Sequence, residues 1–163
     1  MGRAYLSLGS NIEADAHLRS AIAALRARFG DVQVSPVYRT VAVGFVGAEF
    51  LNAAAIIDSD LDPFALNDWL HALEDAHGRD RSGPRFGPRP LDIDIVFYDD
   101  LILDGPGHLQ IPRDELKHAF VLKPLADLVP DFVHPRLDRS LAELWSASAM
   151  TIGPTVDLAS TGD

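Results

Sequence analysis

The sequence contains no cysteine. That excludes a disulfide framework and any thiolate metal site. Positive charge is also scarce: 14 Lys and Arg stand against 24 Asp and Glu, for a formal net charge of -10. Proteins that grip a nucleic-acid backbone usually present a basic face, so no nucleic-acid partner is expected. No apolar run reaches the length of a membrane span, and no membrane partner is expected either. The opening residues, Met1 to Leu6, lack the long apolar region and cleavage site of a signal peptide. A cytoplasmic protein is expected. Neither Gly-x-x-x-x-Gly-Lys nor Gly-x-Gly-x-x-Gly occurs, which disfavours a conventional kinase site.

What is present reads as one globular domain. The chain has 163 residues, enough for a single sizeable core. The domain is placed at 1–145. Residues 146–163 are small, polar and aperiodic, and read as a tail that frays. There are no internal repeats, and a monomer is expected.

Taken in order, Tyr5 to Leu8 reads as a short strand ending at the Gly9-Ser10-Asn11 turn. Leu18, Ile22, Leu25 and Phe29 recur at helical spacing, opened by Glu13 or Asp15 and closed by Gly30. Val32 to Val43 reads as a second strand with a bend or edge at Pro36, and Phe50 to Asp58 as a third. Asn52 is the one amide in that apolar stretch. It is either bonded to backbone at a strand end or offers its donor and acceptor to a ligand. Asp62-Pro63 opens a second helix with Phe64, Leu66, Leu70 and Leu73 on its apolar side, and Gly78 ends it. His71, Glu74 and His77 do not have the spacing of a zinc helix.

The densest chemistry lies in Arg85-Phe86-Gly87-Pro88-Arg89-Pro90-Leu91-Asp92-Ile93-Asp94-Ile95-Val96. Four arginines, Arg79, Arg81, Arg85 and Arg89, precede two carboxylates on a predicted strand running from Asp92 to Tyr98. Side chains alternate along a strand, so Asp92 and Asp94 share a face, roughly 6–7 Å apart at the backbone. Hard oxygen ligands in that number suit Mg²⁺, which keeps room for substrate phosphates. Guanidiniums beside such carboxylates form a layout suited to metal-assisted phosphoryl transfer. Beyond this strand, Asp99-Asp100 reads as a turn, Leu101 to Leu103 as a short partner strand, and Leu137 to Trp145 as a last helix.

The Arg85–Val96 stretch closely resembles the signature of the 6-hydroxymethyl-7,8-dihydropterin pyrophosphokinase family of folate biosynthesis. Gly9-Ser10-Asn11, Tyr38-Arg39-Thr40, Phe50-Leu51-Asn52-Ala53-Ala54 and Phe120-Val121-Leu122 are similar to further family segments. The resemblance covers roughly residues 3–145. It implies an α+β ferredoxin-like sandwich, with a mostly antiparallel sheet and helices packed on it. The predicted order β-α-β-β-α-β agrees.

The resemblance also implies transfer of the β,γ-diphosphate of ATP to the pterin hydroxymethyl group, with AMP released. On it, Arg79, Arg89, Asp92 and Asp94 are catalytic, and Asp92 and Asp94 hold two Mg²⁺. Thr40, Val43, Phe50, Asn52 and Phe120 contact the pterin. His71, Glu74, Arg81, Arg89, Ile95, Arg113 and His118 contact the nucleotide. Phe50 stands where the family has tyrosine, His71 where glutamine is common, Arg113 where histidine is usual, and His118 near the usual arginine. Val41 and Ala42 replace two prolines. A two-metal nuclease or phosphatase, and a non-catalytic or substrate-shifted pterin- or nucleotide-binding homologue of the same family, are the alternative readings.

Overall fold

A computed structural model describes residues 2–41, 49–78, 90–104 and 109–158. Its centre is a six-stranded sheet. The strands are β1 (Gly2–Ser10), β2 (Val32–Val34), β3 (Val37–Val41), β4 (Glu49–Ser59), β5 (Asp92–Tyr98) and β8 (Thr155–Val156). Their order is β5-β1-β4-β3-β8, and β2 pairs with β4 beside β3. Every pairing is antiparallel. This is the ferredoxin-like α+β sandwich expected from the sequence.

Helices cover both faces. On one side, α1 (Ala14–Phe29) buries Leu18, Ala21, Ile22 and Leu25, one stripe at helical spacing. Gly30 ends it at φ 85° and donates its N–H to Arg26 O, a left-handed position that glycine takes without steric cost. Beside it, α2 (Pro63–Ala76) starts on a true cap: Asp62 Oδ1 accepts the Ala65 N–H at 2.8 Å. Its buried stripe is Leu66, Leu70 and Glu74. Phe64, expected on that stripe, is 42% exposed, because it lies about 200° around the helix from Leu66. These helices pack on Ala4, Leu6 and Leu8 of β1, Ala53, Ala55 and Ile57 of β4, and Ile93 and Ile95 of β5.

On the opposite face lie α3 (Ala119–Leu128) and α4 (Leu141–Ser148). Val121, Leu122 and Leu125 of α3 meet Tyr5, Ala54, Ile56, Val96 and Phe97. Val96 and Phe97 are consecutive yet both face α3. A bulge explains this, since Tyr5 pairs with Phe97 but Leu6 with Ile95, leaving Val96 as the extra residue. The capping box of α4 joins Ser140 and Glu143.

Four expectations change. The strand read as Val32 to Val43 is broken at Ser35-Pro36, where Ser35 Oγ accepts the Ala54 N–H and keeps both halves on β4. Leu101 to Leu103 does not pair with β5. Leu103–Asp104 (β6) instead joins Gln110–Ile111 (β7) in a separate two-stranded sheet. The last helix starts four residues later than Leu137, at the Ser140 cap. Residues 146–158 are not a free end: β8 pairs with Val37 and Tyr38, and Arg39 N donates to Pro154 O at 3.0 Å. The helix α3 is not predicted by the sequence pattern. Pro124 inside it removes one helical donor and reads as a helix breaker, although Val121, Leu122, Leu125 and Ala126 recur at helical spacing.

Candidate active site

The site follows from the register of four strands. Gly9 stands opposite Asn52 on one side and Asp92 on the other. Tyr38 is opposite Asn52, and Thr40 opposite Phe50. Paired residues share a face, so Asp92, Gly9, Asn52 and Tyr38 form one row across the sheet. Ser7 and Asp94 form part of the next. This face is the one that α3 covers farther along. Here the strands carry polar groups in place of the apolar ones beneath α3.

Two small residues set up the row. A Cβ on Gly9 would lie 2.9 Å from Asn52 Oδ1, so only glycine lets that amide lie against β1. Asn52 is 5% exposed and donates to Thr40 Oγ1 at 2.7 Å. Ser10 is fully buried and donates to Pro90 O at 2.5 Å across 80 residues. It ties the Gly9-Ser10-Asn11 turn to the entry of the acidic strand. Local pattern reads these residues only as a turn, because both packing roles involve partners distant in the chain.

The acidic strand β5 is an edge, and both side chains and backbone protect it. Glu74, 2% exposed at the end of the α2 stripe, accepts the Ile93 N–H at 2.8 Å. It fixes the backbone between Asp92 and Asp94. At the bulge, Arg113 N donates to Val96 O at 3.1 Å. That bond brings the Arg113 guanidinium within 3.8 Å of Asp94 Oδ1. Glu115 clamps the same guanidinium through Nε and Nη2, both at 2.9 Å. The planar fork of arginine suits such bidentate pairing. Glu115 carries no signal in the sequence, because only the 3-10 helix at Asp114–Lys117 turns it back onto Arg113.

Electrostatics at this end of the sheet are dominated by crowded carboxylates. The Asp94 side chain keeps 31% of its exposure, so it lies in a walled cleft rather than in the interior. Desolvation by those walls, followed by the charge of Asp92, pushes its carboxyl up to about 7, against the opposing pull of Arg113. Burial tends to raise the Glu115 carboxyl, but its hydrogen bonds to Arg113 and that residue's charge hold it below its ordinary value. Two oxygen-bearing carboxylates on one strand face are a donor set that fits Mg²⁺. Among the described residues no group of three or more potential ligands occurs, which leaves coordination positions for phosphate oxygens and water.

The remaining expected residues fall in three groups. Asp92, Asp94, Thr40, Phe50, Asn52 and Arg113 gather on or beside the open face. Phe120, at the start of α3, stacks on His118, with ring centroids 5.0 Å apart and planes 7° from parallel. His71 is exposed on α2, and Glu74 is committed to the β5 backbone. Ile95 is 1% exposed and packs in the α1/α2 core. Strand alternation turns its side chain away from the two aspartates. Val43, Arg79, Arg81, Arg85 and Arg89 lie outside the described residues.

Fold and face together define a ferredoxin-like α+β domain with one open, acidic end of its sheet. A sequence model of the 7,8-dihydro-6-hydroxymethylpterin-pyrophosphokinase (HPPK) family matches residues 5–130. The chain belongs to that family. It is 40% identical over 151 residues to a 2-amino-4-hydroxy-6-hydroxymethyldihydropteridine pyrophosphokinase of Pseudomonas aeruginosa, covering 89% of this chain and 91% of that protein. A protein of the same name from Methylorubrum extorquens is 41% identical over 137 residues, with 82% and 86% covered. In three dimensions the chain is similar to a crystal structure of Plasmodium falciparum HPPK-DHPS wild type with pteroate, at a TM-score of 0.72 and 15% identity. That match covers 90% of this chain but 44% of the Plasmodium chain, and supports the fold alone.

Proposed function

We propose that this protein is an ATP-dependent pyrophosphokinase acting on 6-hydroxymethyl-7,8-dihydropterin in folate biosynthesis. The observation that carries the reading is the cross-strand row. In it Asn52 lies two strand spacings, about 10 Å at the backbone, from Asp92, and its hydrogen-bond partner Thr40 lies one strand farther out. A flat heterocycle held by the amide would thus hold its side-chain hydroxyl toward the acidic end.

The reaction forms a bond from the hydroxymethyl oxygen to the β-phosphorus of ATP and breaks the bond from that phosphorus to the α-phosphate. AMP leaves, and the hydroxyl proton is released. Asp92 and Asp94 would hold two Mg²⁺, which when bound supply charge neutralisation for the phosphates. Asn52, held by Thr40 and Gly9, orients the pterin edge. Phe50 and Phe120 supply apolar faces for its rings. Arg113, held by Glu115, adds a fixed positive charge next to Asp94. Arg79 and Arg89 are assigned to the phosphates on the family pattern. No residue is asked to act as a strong base; positioning and electrostatics lower the barrier.

The test is AMP formation from ATP and Mg²⁺ with and without the dihydropterin, with the product weighed by mass spectrometry. Pterin-dependent AMP and a pterin gaining two phosphoryl groups is the expected result. Pterin binding without AMP would overturn the catalytic reading in favour of a binding homologue.

A further inference from the structure

On the α3/α4 side, a cavity of about 500 Å³ lies between the 3-10 helix, α3, α4 and the 134–137 turn. That is within the range of small-molecule sites. Leu116, Leu122, Leu144 and Met150 supply its apolar wall. Arg113, Lys117 and Arg136 line it with positive charge, against the one carboxylate among its lining residues, Asp114. Asp92, Asp94 and Asn52 are not among its lining residues; it shares only Arg113 with the acidic site.

One polar group in that wall is not fully used by the fold. His134 is 6% exposed. Its Nδ1 accepts two backbone N–H groups, from Arg136 at 3.1 Å and Leu137 at 3.2 Å. Accepting both requires Nδ1 to be bare, so the neutral ring carries its proton on Nε2. Burial, then the charge of Arg136, lowers the His134 pKa and favours that neutral ring. Among the described residues no hydrogen-bond acceptor meets the Nε2–H. Phe97 stands at right angles to the imidazole with ring centroids 5.4 Å apart; a ring contact at that separation is weaker than a hydrogen bond. Among the described residues no fully sealed side-chain nitrogen or oxygen lacks a partner. The Nε2–H is therefore reached by solvent, and His134 lines the cavity. An acceptor entering there gains a directional bond to a donor that the fold leaves to water.

Among the described residues, the two cations nearby pair with exposed acids. Arg136 pairs with Asp104 at 3.0 Å and Lys117 with Asp114 at 2.9 Å. The side chains of both acids are at least 70% exposed. Such pairs contribute little, so an incoming anion can replace either carboxylate at small cost.

We propose that this cavity is a second ligand site, for a small amphipathic carboxylate. Its apolar body packs on Leu116, Leu122, Leu144 and Met150. Its carboxylate accepts from His134 Nε2–H and faces Arg136 and Lys117.

The experiment uses 2-naphthoate, with 2-naphthylmethanol as the neutral match, titrated into the full chain by calorimetry. The His134 Nε2–H resonance is followed by NMR. The expected result is one saturable site with a Kd below about 1 mM and a shifted His134 resonance. The alcohol and the Arg136→Gln variant should each bind about ten-fold more weakly or worse. Met150→Trp, which fills the cavity, should abolish binding while circular dichroism shows it folded. If it does not fold, Arg136→Gln decides alone. Three outcomes each overturn the proposal: no saturable binding, equal affinity for acid and alcohol, or displacement of the probe by ATP and Mg²⁺. The last would put the probe in the acidic site and leave the pyrophosphokinase reading intact.

Discussion

Under α1 and α2 the sheet shows only apolar side chains from Ala4 to Leu8, from Ala53 to Ile57, and at Ile93 and Ile95. On the other face the same strands divide. Tyr5, Ala54, Ile56, Val96 and Phe97 lie beneath α3 and α4. Ser7, Gly9, Asn52, Asp92 and Asp94 continue the same columns beyond them. The closed face stabilises, and the divided face combines a core with the candidate site. A strand face can do both because rigid pleating holds the polar end in register with a packed apolar end. The carboxylates are crowded at that polar end, where the charge of Asp92 acts on Asp94 against the pull of Arg113.

That comparison can be broken, and the largest effect tests the open end. Asp94→Ala should lower Mg²⁺-dependent AMP formation by about a thousand-fold or more, while pterin binding and the melting temperature survive. Normal turnover in this variant would remove the metal-site assignment. The matching change on the closed face is Leu70→Ala, at a fully buried position. It should cost about 2–5 kcal/mol of stability in urea unfolding. Activity per folded molecule should stay unchanged, and a loss of turnover beyond the unfolded fraction would mean the faces are not separable.

A smaller effect sharpens the boundary inside the open face. Gly9→Ala places a methyl against Asn52 Oδ1 and must displace that amide. The expected result is a pterin KM raised about ten-fold, with the KM for ATP within about two-fold. Equal changes in both constants would assign Gly9 to the strand rather than to the pterin end. Smallest is Ser140→Ala, which removes the capping box of α4. It should cost about 1 kcal/mol, seen as a small drop in melting temperature, with kinetics unaltered. Changed kinetics would couple α4 to the open end.

Several local features are legible in the amino-acid sequence. The acidic strand runs from Asp92 to Tyr98 as the apolar alternation predicts. Asp62 caps α2 and Gly30 closes α1. The signature around Asp92 and Asp94 points to the family. Each of these depends on residues that are neighbours in the chain, through alternation, capping or a required backbone angle.

Other features are not legible there, for an equally physical reason. Ile95 follows the signature, yet its side chain belongs to the core. Glu74 is at once a family-like acid and the third member of a buried stripe, and the Ile93 N–H decides what it holds. Tyr38 hydrogen-bonds Asp127 across 89 residues, and no local pattern joins them.

By itself, then, the sequence determined where α1, α2, β4 and β5 begin, which carboxylates share a face, and which family the chain joins. Those properties arise from local sterics and from a contiguous motif. Only the tertiary structure decided that Gly9 makes room for Asn52, that Glu115 holds Arg113 toward Asp94, and that His134 lines a cavity with its Nδ1 taken up by the Arg136 and Leu137 N–H groups. Each of these depends on strand register or on a loop folding back, which are set by packing between segments distant in the chain.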